Sequence, residues 1–245
     1  MKATVSALPT REEWQQQFLN TDVFKAAHRL MMDSAYTSNI LNKSQVTPRA
    51  MMLNQGVLDL QPFYILDYIS KQNDLPIHDI GCGINFFKNF YNIIGIDPYS
   101  EFADISDAFN ATFAKEYKGQ FDNAISICAI HFCNIAKMPI YINHFINLVK
   151  SGGYVYITLN VPKLLENTDV KFTIDLVKKI STLDDRLIPI LNAYSNNQID
   201  TKLLGEYFTN IVNQIDDHVL LYENLIEELP AGALNGNIRI LLKRK

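Results

Sequence analysis

Apolar residues recur at intervals of three and four along the first 75 residues, a spacing that predicts helices. One set is Trp14, Phe18, Val23, Phe24, Ala27, Leu30 and Met31, and the other is Val57, Leu60, Tyr64, Ile65 and Tyr68. Thr10 and Glu13 have the spacing of a capping box, so we predict that the first helix begins there. The polar stretch 34–49, rich in Ser, Thr and Asn, predicts a loop between the helices.

From residue 76, short runs of strand-forming residues alternate with helical or loop segments. These runs cover 77–80, 92–96, 102–105, 123–129 and 154–159. Such alternation predicts parallel strands joined by crossovers, because strands buried on both faces read as continuous apolar runs. Residues 163–213 return to helical spacing, and the segments 218–225 and 237–242 flank turn residues that predict a hairpin.

The composition is that of an ordinary globular protein, with 245 residues of which 48% are hydrophobic and 20% charged. The formal net charge of -4 does not favour a nucleic acid partner, because proteins that bind a phosphate backbone usually carry a basic face. Three cysteines, an odd number within apolar segments, favour reduced thiols over a disulfide framework.

The sequence favours a cytoplasmic protein without a membrane segment. Charged residues at Arg11, Glu12 and Glu13 interrupt the apolar stretch near the N-terminus, which is too short for a signal peptide. Apolar runs elsewhere are the length of strands, far below the roughly 20 residues that cross a bilayer.

The run Ile77-His78-Asp79-Ile80-Gly81-Cys82-Gly83 predicts a strand that ends in a glycine turn. Glycines without a Cβ let the backbone approach a ligand closely. Asp97 follows Gly83 by fourteen residues, at the end of the next predicted strand, where a carboxylate can accept hydrogen bonds from two ribose hydroxyls. This pattern predicts a cofactor that carries a nucleoside.

A nicotinamide cofactor is the first alternative. Its fingerprint needs a third glycine three residues after Gly83, where this chain has Phe86, and its acid follows at a longer spacing of about 20 residues. We therefore favour a different nucleoside cofactor. The structural alternative is an ordinary tight turn with Asp97 as a loop or capping acid.

The order of these elements resembles the class I S-adenosylmethionine-dependent methyltransferases, a Rossmann-like family. The matching segments are DIGCGIN at 79–85, GIDP at 95–98, ADISD at 103–107, FDNAISICAIHF at 121–132 and LVKSGGYVYIT at 148–158. The resemblance implies an α/β fold with a doubly wound, mostly parallel seven-stranded sheet and a C-terminal antiparallel hairpin. We expect an N-terminal helical cap over 1–75 and an α/β domain over 76–245, with a helical insertion at about 163–213.

The resemblance also implies S-adenosylmethionine as the cofactor. Asp79 would orient its amino-acid end, Gly81 and Gly83 would let the backbone pass close to it, and Asp97 would hold the ribose hydroxyls. The adenine amine would meet Asp104 or Asp107. The remaining implied cofactor contacts are Cys82, Asn85, Pro98, Ile105 and Cys128.

Two departures from the family pattern affect this assignment. Many members have a third glycine where this chain has Asn85, and the stretch between Asp97 and Asp104 is too short for the usual crossover helix. A shortened variant of the family accommodates both changes.

His131 is a candidate general base, since the family places groups that face the substrate just after the fourth strand and imidazole titrates near neutrality. A pocket-wall histidine is the alternative. Cys128, His131 and Cys133 also suggest a metal, but the spacing lacks the paired C-x-x-C of a zinc site, so we expect none.

The function implied is methyl transfer to an oxygen, nitrogen or carbon atom of a small molecule or protein side chain. The sulfonium is already electrophilic, so the protein need only exclude water, align the reactants and sometimes remove a proton. The motifs of nucleic acid base methylation are missing from the sequence. A non-catalytic scaffold with this fold, and aminopropyl transfer from a decarboxylated cofactor, are the alternatives.

Overall fold

A computed structural model describes residues 10–33, 53–54, 57–58, 61–130, 132–215, 218–224 and 237–245. The chain divides into two units, Met1–Ala108 and Phe109–Lys245. The domain boundary predicted at residue 75 falls inside the first unit. The predicted loop at 34–49 lies outside the described residues, as does the turn of the C-terminal hairpin.

The first unit contains helices α1 (Arg11–Phe18), α2 (Asp22–Met32) and α3 (Gln61–Gln72). The predicted capping box at the start of α1 is confirmed: the Thr10 hydroxyl accepts the N–H of Glu13, and the Glu13 carboxylate accepts the N–H of Thr10. Trp14 is buried, and its indole N–H donates to Asp67 of α3 at 2.8 Å. This bond fixes α1 against α3.

The prediction that Val57 belongs to a helix is wrong. Val57–Leu58 is a short strand, β2, which pairs antiparallel with β1 (Leu53–Asn54), while Leu60 lies outside the described residues. The helix begins only at Gln61 because Pro62 fits the first turn of a helix but not its interior, where it would clash with the carbonyl four residues earlier.

The first unit contains a pair of parallel strands. They are β3 (Ile77–Ile80) and β4 (Ile93–Ile96), with Asp79 opposite Gly95 and Ile80 opposite Ile96. A glycine turn and a short 3₁₀ helix, Phe86–Asn89, connect them. The buried ring of Phe87 packs against Phe63 of α3 with the ring centroids 5.3 Å apart. The aromatic residues after the turn are therefore core residues.

The strand predicted over 102–105 is reduced to a single parallel bridge between Ile96 and Ile105. Only six residues separate Asp97 from Asp104, whereas a parallel crossover needs about a dozen. The chain instead folds back onto the end of β4, where the N–H groups of Asp104 and Ile105 donate to the Gly95 carbonyl at 2.8 and 3.0 Å.

The second unit contains a four-stranded sheet. Its strands β5 (Asn123–Ile127) and β6 (Tyr154–Asn160) are parallel, and β6 pairs antiparallel with β8 (Asn237–Arg244), which pairs antiparallel with β7 (His218–Asn224). The predicted antiparallel C-terminal pair is thus confirmed. All five residues of β5 are buried, as expected for a strand covered on both faces, and its two polar residues, Asn123 and Ser126, are buried with the apolar ones.

Helices precede and follow the strands of the second unit along the chain. Before and between β5 and β6 lie α4 (Ala111–Glu116), a 3₁₀ turn at Ile135–Lys137 and α5 (Met138–Leu148). The predicted helical insertion consists of α6 (Val161–Glu166), α7 (Val170–Lys179), α8 (Leu187–Ser195) and α9 (Thr201–Asn213).

The α/β class, with parallel strand pairs and an antiparallel edge, is confirmed. Apart from the antiparallel β1–β2 pair, the described residues contain two strands in the first unit and four in the second, so the seven-strand count is not confirmed. No helix in the described parts of the chain is both long enough and apolar enough to cross a membrane.

Candidate cofactor site

The glycine turn after β3 has a backbone that only glycine adopts easily. Gly81 has φ 75° and Gly83 has φ 52°, both in the left-handed region. Apart from Gly83 itself and its two chain neighbours, no heavy atom of the described residues lies within 4 Å of the position that a Cβ on Gly83 would take. The turn therefore leaves space beside its backbone for a ligand.

Asp97 is held against this turn. Its Oδ2 accepts the N–H of Gly83 at 3.1 Å, and its Oδ1 accepts the N–H groups of Tyr99 at 2.9 Å and Ser100 at 3.1 Å. The Ser100 hydroxyl in turn donates to the Gly83 carbonyl. A carboxylate has about four lone-pair directions, so these bonds leave room at Oδ2 for a donor from a ligand.

Asp79 is a buried acid at the end of β3. Its side chain is enclosed, and its Oδ1 has no hydrogen-bond partner among the described residues. Burial, and to a lesser degree the charge of Asp97, raise the pKa of Asp79 to about 7. A buried acceptor without a donor is costly, so a donor or cation supplied by a ligand would be favourable here.

Cys82 lies among these carboxyl groups and is buried. Burial raises the pKa of its thiol well above the ordinary value, and the charges of Asp79, Asp97 and Asp104 raise it further. The thiol is therefore protonated and unsuited to act as a nucleophile.

Asn85 takes the place of the third glycine of the family pattern. It has φ 50° and ψ 40°, a left-handed conformation that Asn tolerates better than most residues. Its buried side-chain amide donates to the Phe102 carbonyl at 3.0 Å and to Asp104 Oδ2 at 3.3 Å. Asp104 also accepts the N–H of Gly95 at 2.9 Å and pairs with Lys88.

Gly95 must lack a side chain because Asn85 occupies the space beside it. A Cβ on Gly95 would lie 2.4 Å from Nδ2 of Asn85 and 2.8 Å from Sγ of Cys82. We expect Gly95→Ala to lower the free energy of unfolding by about 1–3 kcal/mol in urea denaturation, the usual cost of overpacking. The loss should shrink in an Asn85→Gly background; an equal loss in both backgrounds would contradict this packing explanation.

The other implied cofactor residues lie in both units. Pro98, Ile105 and Asp107 are half-buried in the segment after β4, and the Asp107 carboxylate accepts the N–H of Ala108 at 2.7 Å. Cys128 follows β5 with φ 52°, and its N–H donates to the Thr158 hydroxyl at 2.9 Å.

His131, the candidate general base, lies outside the described residues. Nearby, burial raises the pKa of the Cys133 thiol to about 11, which keeps that cysteine protonated. The described residues contain no group of three or more His, Cys, Asp or Glu side chains arranged to hold a metal.

Two residues of the site were missed by sequence reasoning, Lys88 and Ser100. Ser100 connects the segment after Asp97 to the turn, and Lys88 pairs with Asp104. Sequence gives no signal for either, because each bond joins residues that are sixteen or more positions apart.

No family model matches the sequence, and no curated protein matches it significantly. Solved structures similar to the chain include a TehB-like SAM-dependent methyltransferase from Corynebacterium glutamicum, with 10% identity over 71% of this chain and 82% of that one and a TM-score of 0.41. A SAM-dependent methyltransferase from Archaeoglobus fulgidus has 12% identity, coverages of 96% and 100% and a TM-score of 0.40. The plantazolicin methyltransferase BpumL in complex with SAH has 14% identity, coverages of 94% and 99% and a TM-score of 0.43. Many of the structural neighbours are SAM-dependent methyltransferases, at modest TM-scores and low identity.

Proposed function

We propose that this protein is an S-adenosylmethionine-dependent methyltransferase that acts on a small molecule or a protein side chain. The observation that carries the proposal is the bond between Asp97 and the Gly83 N–H, which fixes an acid against a turn with open space beside it. Ribose hydroxyls need an acceptor in this position, and an adenosyl group needs close approach to bare backbone.

The charges of the site support a cationic ligand. Asp79 and Asp97 form no ion pair with any residue in the described parts of the chain, whereas Asp104 is neutralised by Lys88. S-adenosylmethionine carries an ammonium and a sulfonium, and its ammonium would donate to the buried Oδ1 of Asp79. Pairing a buried acceptor with a cation removes an unfavourable state of the unliganded protein.

The protein's own task is to bind, orient and exclude water. When bound, the cofactor would supply an electrophilic methyl group on its sulfonium. Asp79 would hold its amino-acid end and Asp97 its ribose, Gly81 and Gly83 would pass beneath it, and the protonated Cys82 would form an inert wall. His131 stays our proposal for the group that removes a proton from the acceptor, where the acceptor needs one removed.

Isothermal titration calorimetry tests the proposal directly. We expect S-adenosylmethionine and its demethylated product to bind in the micromolar range, with no heat from NAD⁺. Binding of NAD⁺ alone, or of none of these ligands at high micromolar concentration, would refute the cofactor assignment. A radiolabelled methyl donor incubated with candidate acceptors then separates a working enzyme from a scaffold that only binds the cofactor, and the decarboxylated cofactor tests aminopropyl transfer.

A further inference from the structure

We infer that Asn85, Lys88 and Asp104 form an anchor that replaces the missing crossover helix and holds Asp97 in its binding position. These are positioning residues, and the inference rests on the proposed function for the role of Asp97. We call this group the anchor.

The segment that carries Asp97 needs such an anchor because it has no helix of its own. Residues 97–105 follow β4 as turns and bends before the bridge at Ile105. An irregular segment with exposed residues keeps its shape only through bonds to fixed elements. The Gly83 N–H holds one oxygen of Asp97 directly, whereas the Tyr99 and Ser100 N–H groups that orient the other oxygen depend on what holds the far end of the segment.

Asp104 joins that far end to β4. Its Oδ2 accepts the N–H of Gly95 at 2.9 Å, and the Gly95 carbonyl accepts the N–H groups of Asp104 and Ile105. The bond from Lys88 is the main cause that lowers the pKa of Asp104, so the carboxylate is ionised at neutral pH and its bonds are charge-assisted. Lys88 belongs to the 3₁₀ helix after the turn, so the ion pair also ties the segment to that helix.

Asn85 joins the middle of the segment to the glycine turn. Its amide bonds to the Phe102 carbonyl and to Asp104, while its backbone completes the turn that begins at Gly81. At the near end, Asp97 accepts the N–H groups of Tyr99 and Ser100. A shift of the segment at Phe102 would therefore be transmitted to the donors that orient Asp97.

Asn85→Gly is the sharpest variant, because glycine adopts the left-handed backbone without strain and only the amide is lost. We expect hydrogen exchange of the Tyr99 and Ser100 amides to become about tenfold faster in the unliganded protein, since two hydrogen bonds are removed. The dissociation constant for S-adenosylmethionine should rise by about tenfold. Calorimetry and exchange measured by NMR give the two readouts.

Variants of two lysines, Lys88 and Lys71, distinguish the specific effect of the anchor on hydrogen exchange from a general effect of charge. Lys88→Met should speed exchange by about twofold to fivefold, because the ion pair is partly exposed, and Lys88→Arg should restore the wild-type rate. Lys71→Met is the matched control: it removes an ion pair of 2.7 Å with Asp67 in the same unit, makes the same change in charge, and in the described parts of the chain Lys71 has no hydrogen bond or ion pair to the segment. We expect it to leave exchange at Tyr99 and Ser100 unchanged.

Each outcome decides the inference. If hydrogen exchange at Tyr99 and Ser100 is unchanged in Asn85→Gly, the anchor does not hold the segment. If exchange is faster but the affinity for S-adenosylmethionine is unchanged, the anchor does not position Asp97 for binding. If the wild type does not bind S-adenosylmethionine, the proposed function fails, while exchange still decides whether the anchor holds the segment.

The family resemblance implies that Asp104 could instead contact the adenine amine. A cofactor analogue without that amine distinguishes this role from the anchoring role. If Asp104 acts as part of the anchor, Asp104→Asn should lower the affinity for S-adenosylmethionine and for the analogue by the same factor. A loss confined to the cofactor that carries the amine would assign Asp104 to adenine and overturn the inference for this residue.

Discussion

Asp79→Asn should stabilise the unliganded protein at pH 8 and weaken its binding of S-adenosylmethionine. The wild-type carboxyl is buried, its Oδ1 has no partner among the described residues, and its pKa is raised from 3.8 to about 7. The ionised side chain is thus disfavoured in the folded state. An uncharged side chain of the same shape removes this penalty, but it also removes the charge that we assign to the cofactor's ammonium.

The sign of the pH dependence follows from proton binding. Between pH 4 and 7 the folded state holds a proton on Asp79 that the unfolded state has released, so the free energy of unfolding falls as pH rises through this window. The shift corresponds to a penalty on the order of 4 kcal/mol above pH 7, at about 1.36 kcal/mol per pKa unit. The buried amide of the variant would offset about 1–3 kcal/mol of the gain if it finds no partner.

The net expectation is a rise in the melting temperature of several degrees at pH 8, and little or no rise at pH 4, where the wild-type carboxyl is neutral. Differential scanning calorimetry of the unliganded protein at both pH values measures it. Asp122→Asn is the control, because Asp122 is partly exposed and pairs with Lys150 at 2.7 Å, so its loss should not stabilise. A variant at Asp79 that is less stable than the wild type at pH 8 would contradict the unfavourable burial of this charge.

The same acid should make cofactor binding depend on pH. A bound ammonium favours the ionised form of Asp79, so the affinity of the wild type for S-adenosylmethionine should rise as pH increases through about 7. Calorimetry at pH 6 and 7.5, compared with the same measurement on Asp79→Asn, separates this effect from titration of the ligand. Parallel profiles in the two proteins would show that Asp79 does not contact the charged end of the cofactor.

Local patterns in the sequence predicted the parts of the fold that depend on neighbouring residues. The capping box of α1 uses residues three positions apart, and the glycine turn is set by two left-handed glycines, Gly81 and Gly83, directly after β3. The strand that precedes Asp97 was predicted from a run of strand-forming residues at 92–96. Each of these features is determined within a few residues, where backbone preferences and burial agree.

Two predictions were wrong because a local constraint overrode the hydrophobic pattern, and the remaining features depend on contacts between distant residues. Val57 fits a helical spacing, yet Pro62 prevents a helix from running through it. The strand over 102–105 has strand-forming residues but too little chain before it for a crossover. Nothing in the local sequence indicates that Asn85 reaches Asp104, nineteen positions away, or that Gly95 is kept small by that side chain.

The largest loss of cofactor affinity is expected for Asp97→Ala. The variant removes the carboxylate that we assign to the ribose, and with it the acceptor of the N–H bonds of Gly83, Tyr99 and Ser100. Hydrogen bonds to a charged group contribute about 1.5–3 kcal/mol each, and a tenfold change in affinity corresponds to about 1.4 kcal/mol. We therefore expect the dissociation constant for S-adenosylmethionine to rise by about 100-fold or more.

Glu101→Gln provides the matched control for Asp97→Ala, because it removes one negative charge from the same segment at an exposed position. If the acid acts through specific bonds, the control should change the affinity by less than about twofold, and circular dichroism should show that both variants are folded. Asp97→Asn adds a second comparison. Its amide oxygen is still an acceptor, but its NH₂ group is a donor and would face backbone N–H groups, which are donors as well. Its loss of affinity for S-adenosylmethionine should fall between those of Glu101→Gln and Asp97→Ala. Equal, small losses of affinity in all three variants would mean that only the overall charge of the segment attracts the cationic ligand.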